Sequence, residues 1–267
     1  IPMLEGLMAG ALGARAGSER THSRGLKVAG RSESAVEAAL QPLYPGWRSA
    51  SPPIDLTILA AAGRIELHVF TRTADEAAAA AVLTRAIDEA VAVLGPSVYT
   101  TRGETLEELA GRLLVEAGWR VSVAESCTGG LLGARLTEVP GSSAWVDGGV
   151  IVYSNALKTT LAGVPAPLIA EHGAVSEAAA LALAAGVRER CGTQVGIGIT
   201  GIAGPDGGTE AKPVGTVFIA VHTPDVVACR QARFVGDRDI VRIQSVSAAL
   251  DMLRLALSGQ DPVGMPR

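Results

Sequence analysis

The sequence predicts an α/β protein: a three-layer α/β/α domain with a mostly covered mixed sheet, preceded by a small α+β domain. Three observations predict this class. The chain has 267 residues, enough for about two domains of typical size. From residue 102 onward, short and almost wholly apolar runs alternate with helical patterns, which is typical of a sheet covered on both faces. Before that point, alternating strands surround an Ala-rich helix, so the predicted domains are 1–100 and 101–267.

The composition excludes several classes of protein. Apolar residues make up 48% of the chain and charged residues 19%, which excludes a disordered tail, a collagen or a coiled coil. The net charge of −4 argues against a protein whose main task is to neutralise nucleic-acid phosphates. Three cysteines and four histidines show no metal-like spacing. No apolar run approaches the roughly 20 residues of a membrane span, and the start lacks a signal peptide pattern, so we expect a cytoplasmic protein.

The elements of the first domain are predicted in the order strand–helix–strand–strand–helix–strand. They are an alternating stretch near 25–34, a helix from an N-cap at Ser34 to Pro42, strands Leu56–Ala60 and Arg64–Arg72, an Ala-rich helix over 74–95, and a strand Ser97–Thr100.

A basic stretch over residues 11–31 allows two interpretations. It is either a nucleic-acid-binding segment or a solvated surface strand. The second is favoured, because no aromatic stacking platform accompanies the charges and no G-x-x-G loop is present. We therefore expect the shape of a KH domain without its nucleic-acid site.

The second domain is predicted to alternate strands and helices. The predicted elements are a helix over 103–119, a strand over 120–124, a helix from Cys127 to about Thr137, a strand over 146–154, a helix over 176–192 capped by Ser176, strands over 194–201, 214–221 and 226–236, and a last helix over 238–257.

Ser126 lies at a predicted strand-to-helix turn, in the segment AESCTGG. A nucleophile placed there is exposed at the sheet edge, beside unpaired N–H groups that can stabilise an oxyanion. Gly129 and Gly130 let a ligand approach the backbone closely. The alternative is that Ser126 is only a helix N-cap. Cys127 is a rival nucleophile, since a helix N-terminus lowers the pKa of a thiol, or else a small buried apolar residue.

Tyr153 ends a predicted strand, and Lys158 follows five residues later after an Asn-containing turn. A serine hydroxyl needs a base, and a desolvated lysine, alone or with a tyrosine, can be that base. The alternative is a surface lysine and a tyrosine at the edge of the core.

A glycine-rich loop between two predicted strands is a candidate binding segment. Thr200, the loop N–H groups and Lys212 can hold a phosphate or a carboxamide, although no known nucleotide fingerprint is matched. The alternative is a long glycine-rich hairpin. Near the last helix, Asp237 or Asp239 is a candidate cap, and Arg238 is either a phosphate ligand or a solvated charge.

These motifs occur in a known order: AESCTGG, VIVYSNALKTTLAGV, HGAVSE, GITGIAGPDGGTEAKPVGTVFIAV and GDRD. Over Gly103 to Leu257 the chain resembles the CinA C-terminal domain, the family of nicotinamide-nucleotide amidases. The first hundred residues resemble the KH-type middle domain of CinA proteins. The family's amino-terminal domain is absent, and the missing initiator Met fits a chain cut from a longer one.

The resemblance implies hydrolysis of nicotinamide mononucleotide to nicotinate mononucleotide and ammonia, without a metal or other cofactor, in pyridine-nucleotide salvage. It implies Ser126, Tyr153 and Lys158 as catalytic residues and self-association of the chain. From the composition we expect no membrane partner, and the acidic net charge argues against a nucleic-acid partner. The expected substrate-binding residues are Thr128, Gly129, Gly130, Asn155, Thr200, Gly201, Gly204, Lys212 and Arg238. The alternative function is a non-catalytic pyridine-nucleotide-binding or regulatory module linked to competence or DNA damage.

The candidate residues and the family resemblance both lead us to expect nucleophilic catalysis. Ser126 attacks the carboxamide carbon, and Tyr153 and Lys158 together accept its proton. Backbone N–H groups between Cys127 and Gly129 hold the oxyanion, and the nucleotide phosphate lies against residues 200–208 and Arg238.

Overall fold

The computed structural model describes residues 18–61 and 63–264, which form two compact units. The first unit takes most of the residues up to Gly103. The second takes the chain from Glu104 onward, together with Ala29–Arg31 and Ala60–Arg64.

The first unit is a four-stranded sheet with helices, so the α+β architecture predicted for it is confirmed. Its strand order is β2-β3-β1-β4, and β1 is antiparallel to both β3 and β4. A buried apolar cluster that includes Trp47 joins α1 and α3 to this sheet. The elements are β1 (Arg20–Val28), α1 (Glu33–Leu40), α2 (Tyr44–Arg48), β2 (Asp55–Ala61), β3 (Arg64–Thr73), α3 (Glu76–Leu94) and β4 (Val98–Thr100).

Three predictions about the first unit were wrong in detail. The first strand, expected near residues 25–34, spans Arg20–Val28. The cap of α1 is Ser32 rather than Ser34, because the Ser32 hydroxyl accepts the N–H of Ala35 at 3.2 Å. Pro42 does not end the helical region. It lies in the first turn of a short 3₁₀ segment that leads into α2, where the missing N–H of a proline is tolerated.

The second unit is built on a mixed five-stranded sheet in the order β6-β5-β7-β8-β9, so the predicted α/β class is confirmed. Strands β6, β5 and β7 are parallel, and β8 and β9 continue antiparallel. The elements are α4 (Leu106–Ala117), β5 (Val121–Glu125), α5 (Leu131–Thr137), β6 (Val146–Ile151), α6 (Asn155–Ala162), α7 (Ala166–His172), α8 (Glu177–Cys191), β7 (Val195–Gly201), β8 (Thr216–His222), β9 (Val227–Arg233) and α9 (Arg238–Leu257).

Glycines in the central strand β7 let a helix pack closely on the sheet. A Cβ at Gly196 or Gly198 would clash with the carbonyl of Ala184 or Ala180 on α8. The intervening Ile197 is fully buried and points to the opposite face, because side chains alternate along a strand. Helix α9 packs with α4 and α5 as a second layer.

Three boundaries near the predicted site differ from expectation. Helix α5 begins at Leu131, not Cys127, because Gly129 and Gly130 have φ of +61° and +96° and form a turn that only glycine adopts readily. Strand β6 ends at Ile151, so Tyr153 lies beyond it. The segment after Tyr153 is not a simple turn but two further helices, α6 and α7, the first capped by Ser154.

Within residues 18–61 and 63–264, no helix is long and apolar enough to cross a membrane.

Candidate active site

The candidate site lies where the parallel strands of the second unit end. Ser126 follows β5 directly, and its N–H donates to the carbonyl of Ile199 on β7 at 3.0 Å. On the other side of β5, the N–H of Val152 donates to the carbonyl of Glu125 at 2.8 Å. The carboxyl ends of parallel strands meet at one edge of the sheet, where ligands of α/β proteins commonly bind.

Ser126 and Lys158 are in direct contact. Lys158 lies in the first turn of α6, is only 2% exposed, and places Nζ 3.1 Å from Ser126 Oγ. The same Nζ donates to the carbonyls of Val152 at 3.0 Å and Tyr153 at 3.2 Å. The backbone thus holds the amine in one position beside the hydroxyl.

Burial also changes the chemistry of this amine. Desolvation lowers the pKa of Lys158 below its ordinary value of 10.5, and the nearby Cys127 opposes this only in part. The two carbonyls only accept hydrogen bonds, so both the amine and the ammonium can donate to them, the ammonium more strongly. When Lys158 is neutral, two of its N–H bonds can stay on these carbonyls while its lone pair faces the Ser126 hydroxyl.

The Tyr153 side chain has a different partner. Its ring is 61% exposed, and its hydroxyl accepts a hydrogen bond from Arg238 Nη2 at 3.1 Å. Among residues 18–61 and 63–264, no hydrogen bond joins this hydroxyl to Ser126 or to the Lys158 amine. The shared proton transfer predicted for Tyr153 and Lys158 stays a prediction.

Arg238 connects three segments at this edge. Besides the Tyr153 hydroxyl, it donates through Nη1 to the carbonyl of Gly204 at 2.8 Å. Arg238 is the first residue of α9, and this helix is capped by Asp237, one of the two candidates from the sequence. The Asp237 carboxylate accepts the N–H of Ile240 at 2.9 Å. Burial raises the pKa of the nearby Cys127 thiol, and the charge of Arg238 opposes this only in part.

In the turn after β5, some backbone N–H groups are hydrogen-bonded within the protein and others can bind a ligand. The N–H of Gly129 donates to the carbonyl of Ser126 at 3.2 Å, and the N–H of Gly130 to Glu125 Oε2 at 3.0 Å. In the part of the chain that the structure describes, the N–H groups of Cys127 and Thr128 have no acceptor in another residue. Of the three positions predicted to hold an oxyanion, Gly129 is thus already engaged within the turn.

Cys127 is not suited to be the nucleophile. Its side chain is buried, and desolvation raises the pKa of its thiol to about 12. The thiolate, which is the reactive form, is therefore scarce near neutral pH.

Glu125 is a residue near the site that the sequence reasoning missed. Its carboxylate is 1% exposed and accepts N–H groups from Gly130 at 3.0 Å, Leu132 at 3.1 Å and Gly133 at 2.8 Å. The start of a helix leaves such donors unpaired and favours a negative charge. Glu125 therefore fixes the start of α5 and occupies donors that a substrate anion would otherwise use.

Arg242 is a second residue that was missed. It lies one turn after Arg238 on α9, and its Nη2 donates to the carbonyl of Thr128 at 3.0 Å. Its Nη1 is 3.4 Å from Asp239 Oδ1, an exposed carboxylate. The four-residue spacing from Arg238 was a signal for one shared helix face. The Thr128 hydroxyl nearby is buried and has no partner among the described residues.

The glycine-rich loop connects β7 to β8 as a long antiparallel hairpin, which was the alternative interpretation. Thr200 is 1% exposed, and its hydroxyl donates to the carbonyl of Ala174 at 2.7 Å. The Lys212 amine donates to the carbonyls of Val175 at 2.6 Å and His172 at 3.4 Å. Lys212 thus ties the loop to the segment before α8, and it would have to leave these carbonyls to bind a phosphate.

The predicted residues are brought together unequally. A chain of contacts joins Ser126, Lys158, Tyr153, Arg238 and Gly204. Thr128, Gly129 and Gly130 belong to the turn that carries Ser126. Two other predicted residues lie outside these contacts: Asn155 is exposed at the start of α6, and Gly201 packs against Val217.

The fold and site define an α/β protein with a serine and a lysine paired at the carboxyl edge of a mixed sheet. The family model of the CinA C-terminal domain matches residues 103–257 of this chain. The family model of the damage-inducible protein CinA KH domain matches residues 23–100. This chain belongs to the CinA family, and both the predicted family and the KH-like first domain are confirmed.

Relatives of known sequence carry the same family name. The CinA-like protein of Koribacter versatilis is 46% identical over 235 residues, covering 88% of this chain and 56% of its own length. The CinA-like protein of Acidobacterium capsulatum is 44% identical over 251 residues, covering 94% of this chain and 59% of its own. The chain therefore spans a little over half the length of these curated relatives.

Solved structures match part of the chain. A CinA superfamily protein of Klebsiella pneumoniae is 36% identical, with a TM-score of 0.55, over 58% of this chain and 99% of that one. The competence/damage inducible protein CihA of Agrobacterium tumefaciens is 41% identical, with a TM-score of 0.54, over 57% of this chain and 95% of that one. These names connect the family to competence and damage induction.

Proposed function

We propose that this protein is an amidohydrolase that converts nicotinamide mononucleotide to nicotinate mononucleotide and ammonia. The observation that carries the proposal is the 3.1 Å contact between Ser126 Oγ and the buried Nζ of Lys158. The motif resemblance supports the choice of substrate, and family membership is consistent with it.

Lys158 is assigned as the general base. Its pKa is lowered by desolvation, so a usable fraction is neutral at a lower pH than for a solvated lysine. With two N–H bonds directed at the carbonyls of Val152 and Tyr153, the lone pair of the neutral amine accepts the Ser126 proton.

Ser126 is assigned as the nucleophile. Its oxygen attacks the carboxamide carbon, and the carbonyl oxygen gains negative charge. The N–H groups of Cys127 and Thr128 are assigned as the oxyanion donors, since neither has an acceptor in another of the described residues. Because the thiol of Cys127 stays protonated, its role is limited to its backbone.

The second half of the reaction releases both products. The protonated Lys158 gives a proton to the departing nitrogen, the C–N bond breaks, and ammonia leaves an acyl-enzyme ester on Ser126. Water then attacks the ester, Lys158 takes a proton from it, and nicotinate mononucleotide leaves as Ser126 recovers its hydrogen.

The substrate phosphate is assigned to the two arginines of α9. Arg238 and Arg242 lie four residues apart, and their guanidinium groups contact the Tyr153, Gly204 and Thr128 positions around Ser126. Arginine matches the geometry of a phosphate with two parallel hydrogen bonds. The donors at the start of α5 are not assigned to the phosphate, because Glu125 already accepts them.

The test is a direct assay of the reaction. The purified chain is incubated with nicotinamide mononucleotide, and ammonia and nicotinate mononucleotide are measured together. The proposal expects equal amounts of the two products. Saturable binding of the nucleotide without product would instead favour the non-catalytic binding module.

A further inference from the structure

The first unit contains a cleft of about 750 Å³ that the proposed amidase reaction does not use. It lies between the helices α1 and α2 and the strand β2. Its apolar part includes Trp47 and Ile54, each 2% exposed, together with the half-buried Leu56 and Ile58 of β2.

The charged side chains of this cleft are mostly acidic. Glu33 and Glu37 come from α1 and Asp55 from the start of β2, and Arg48 is the one cation among the lining residues. All four side chains belong to exposed residues, so their charges face the solvent. Glu37 accepts a hydrogen bond from the Tyr44 hydroxyl at 2.8 Å, which keeps this carboxylate at the cleft. The lining thus favours a cationic ligand.

Strand β2 provides an open edge beside the same cleft. It is the end strand of the sheet, and within the described ranges its outer edge pairs with no other strand. Edge strands are commonly protected by lysine, proline or a bulge, since free N–H and C=O groups invite pairing with another chain. The sequence of β2, DLTILAA, has no basic residue and no proline, and its Leu59 is 54% exposed.

We propose that this cleft binds an extended, lysine- or arginine-bearing segment of a partner protein, which adds to the sheet beside β2. Backbone pairing with a strand edge gives affinity, and pockets for alternate side chains give specificity. The basic head groups would face Glu33, Glu37 and Asp55, and the aliphatic stems would lie over the apolar part of the cleft.

Two aromatic residues of the cleft, Tyr44 and Trp47, are consistent with a cationic ligand. The rings of Tyr44 and Trp47 are 5.9 Å apart with an interplanar angle of 42°, and both line the cleft. A cation in the cleft can reach the half-buried Tyr44 ring and be attracted by its electron-rich face, whereas Trp47 is only 2% exposed. A nucleic-acid strand carries the opposite charge and would meet three carboxylates.

The test uses the full chain and a short end-capped peptide of alternating lysine and valine. Binding is followed by calorimetry and by tryptophan fluorescence, because Trp47 lines the cleft. Three comparison probes are used: the same peptide with glutamate for lysine, the lysine peptide with N-methyl groups on alternate backbone nitrogens, and single-stranded DNA.

The proposal expects saturable binding of the lysine peptide that weakens with added salt. The glutamate and N-methyl peptides are expected to bind at least about tenfold more weakly, since the first reverses the charge and the second blocks strand pairing. Equal binding of the N-methyl peptide, or tighter binding of DNA than of the lysine peptide, would overturn the proposal, as would no binding of the lysine peptide.

Variants locate the site. The double variant Glu33→Gln, Asp55→Asn is expected to weaken peptide binding about tenfold. The control is Asp88→Asn, which removes an exposed carboxylate of α3 that does not line the cleft, and it should leave binding unchanged. Circular dichroism checks that each variant is folded. If the double variant and the control bind alike, the cleft is not the site. The result is independent of the amidase assay.

Discussion

At the scale of single residues, the environment of Lys158 decides what the site can do. A lysine in water is a poor base near neutral pH because it is protonated. Here desolvation lowers its pKa, and two carbonyls fix its direction toward Ser126. The same residue type on the surface would have neither property.

The lowered pKa predicts a pH dependence. Only neutral Lys158 can accept the proton, so kcat/KM for ammonia release should rise with pH. It should level off above the pKa of Lys158 in the folded protein, which lies below 10.5. Lys158→Arg keeps the charge but titrates only far above this range, and it should be inactive throughout. Activity that falls as pH rises through this range would contradict Lys158 as the base.

The separate contributions of Lys158 and Tyr153 can be measured. Lys158→Met should lower kcat by about 10²–10⁴-fold, the usual contribution of a general base. Tyr153→Phe removes the hydroxyl that is hydrogen-bonded to Arg238. It should lower kcat by about tenfold, which corresponds to the loss of one hydrogen bond. Equal losses in the two variants, measured by initial rates of ammonia release, would show instead that the phenol shares the proton transfer.

Ser126 and Lys158 could be predicted from the sequence because each has a local signal. Ser126 lies at a strand-to-helix turn, and Lys158 follows five residues after Tyr153, which ends a predicted strand. The structure brings these two together and directs the Tyr153 hydroxyl to Arg238, 85 residues further along the chain. Glu125 and Arg242 were missed since their roles depend on which backbone groups surround them. Those neighbours are set by tertiary packing.

At the scale of elements, the glycines of β7 allow α8 to lie directly on the sheet. This packing supports the end of β7, where the Ile199 carbonyl holds the Ser126 N–H. The position of Ser126, the proposed nucleophile, therefore depends on a helix–strand contact with no room for a side chain.

Replacing one of these glycines tests that contact. Gly198→Ala should lower the free energy of unfolding by about 1–3 kcal/mol, because the added methyl group would clash with the Ala180 carbonyl. Denaturant unfolding measures the change.

Gly133→Ala is the matched control. A Cβ there would be 3.6 Å from the nearest atom, at ordinary contact distance, and alanine favours a helix by about 1 kcal/mol over glycine. This variant should keep or raise stability. If Gly198→Ala proved as stable as Gly133→Ala, the close packing of α8 on β7 would be wrong.

Long, regular elements were predictable and short ones were not. The 15-residue helix α8 and its cap Ser176 match the expectation, since a strong helical pattern follows a clear cap. Helices α6 and α7, of eight and seven residues, were missed. Such short helices are stabilised by packing more than by their own sequence, so their pattern is weak.

At the scale of the whole molecule, every contact assigned to the reaction lies within residues 104–264. The first unit carries the acidic cleft and the open strand edge. The proposed reaction and the proposed peptide binding are thus carried by different units.

A shortened chain of residues 103–267 lacks Ala29–Arg31 and Ala60–Arg64 of the second unit but keeps every contact assigned to the reaction. It should therefore release ammonia at the rate of the full chain when it is folded. Circular dichroism establishes that it is folded, and initial rates give the comparison. A folded but inactive shortened chain would mean that the first unit contributes to the reaction.

The most direct test of the serine–lysine assignment compares two neighbouring residues of the same turn. Initial rates of ammonia release from nicotinamide mononucleotide are measured for the unmodified chain, for Ser126→Ala and for Cys127→Ala. We predict that Ser126→Ala loses all measurable release while remaining folded, and that Cys127→Ala retains most of it. An active Ser126→Ala together with an inactive Cys127→Ala would contradict the account.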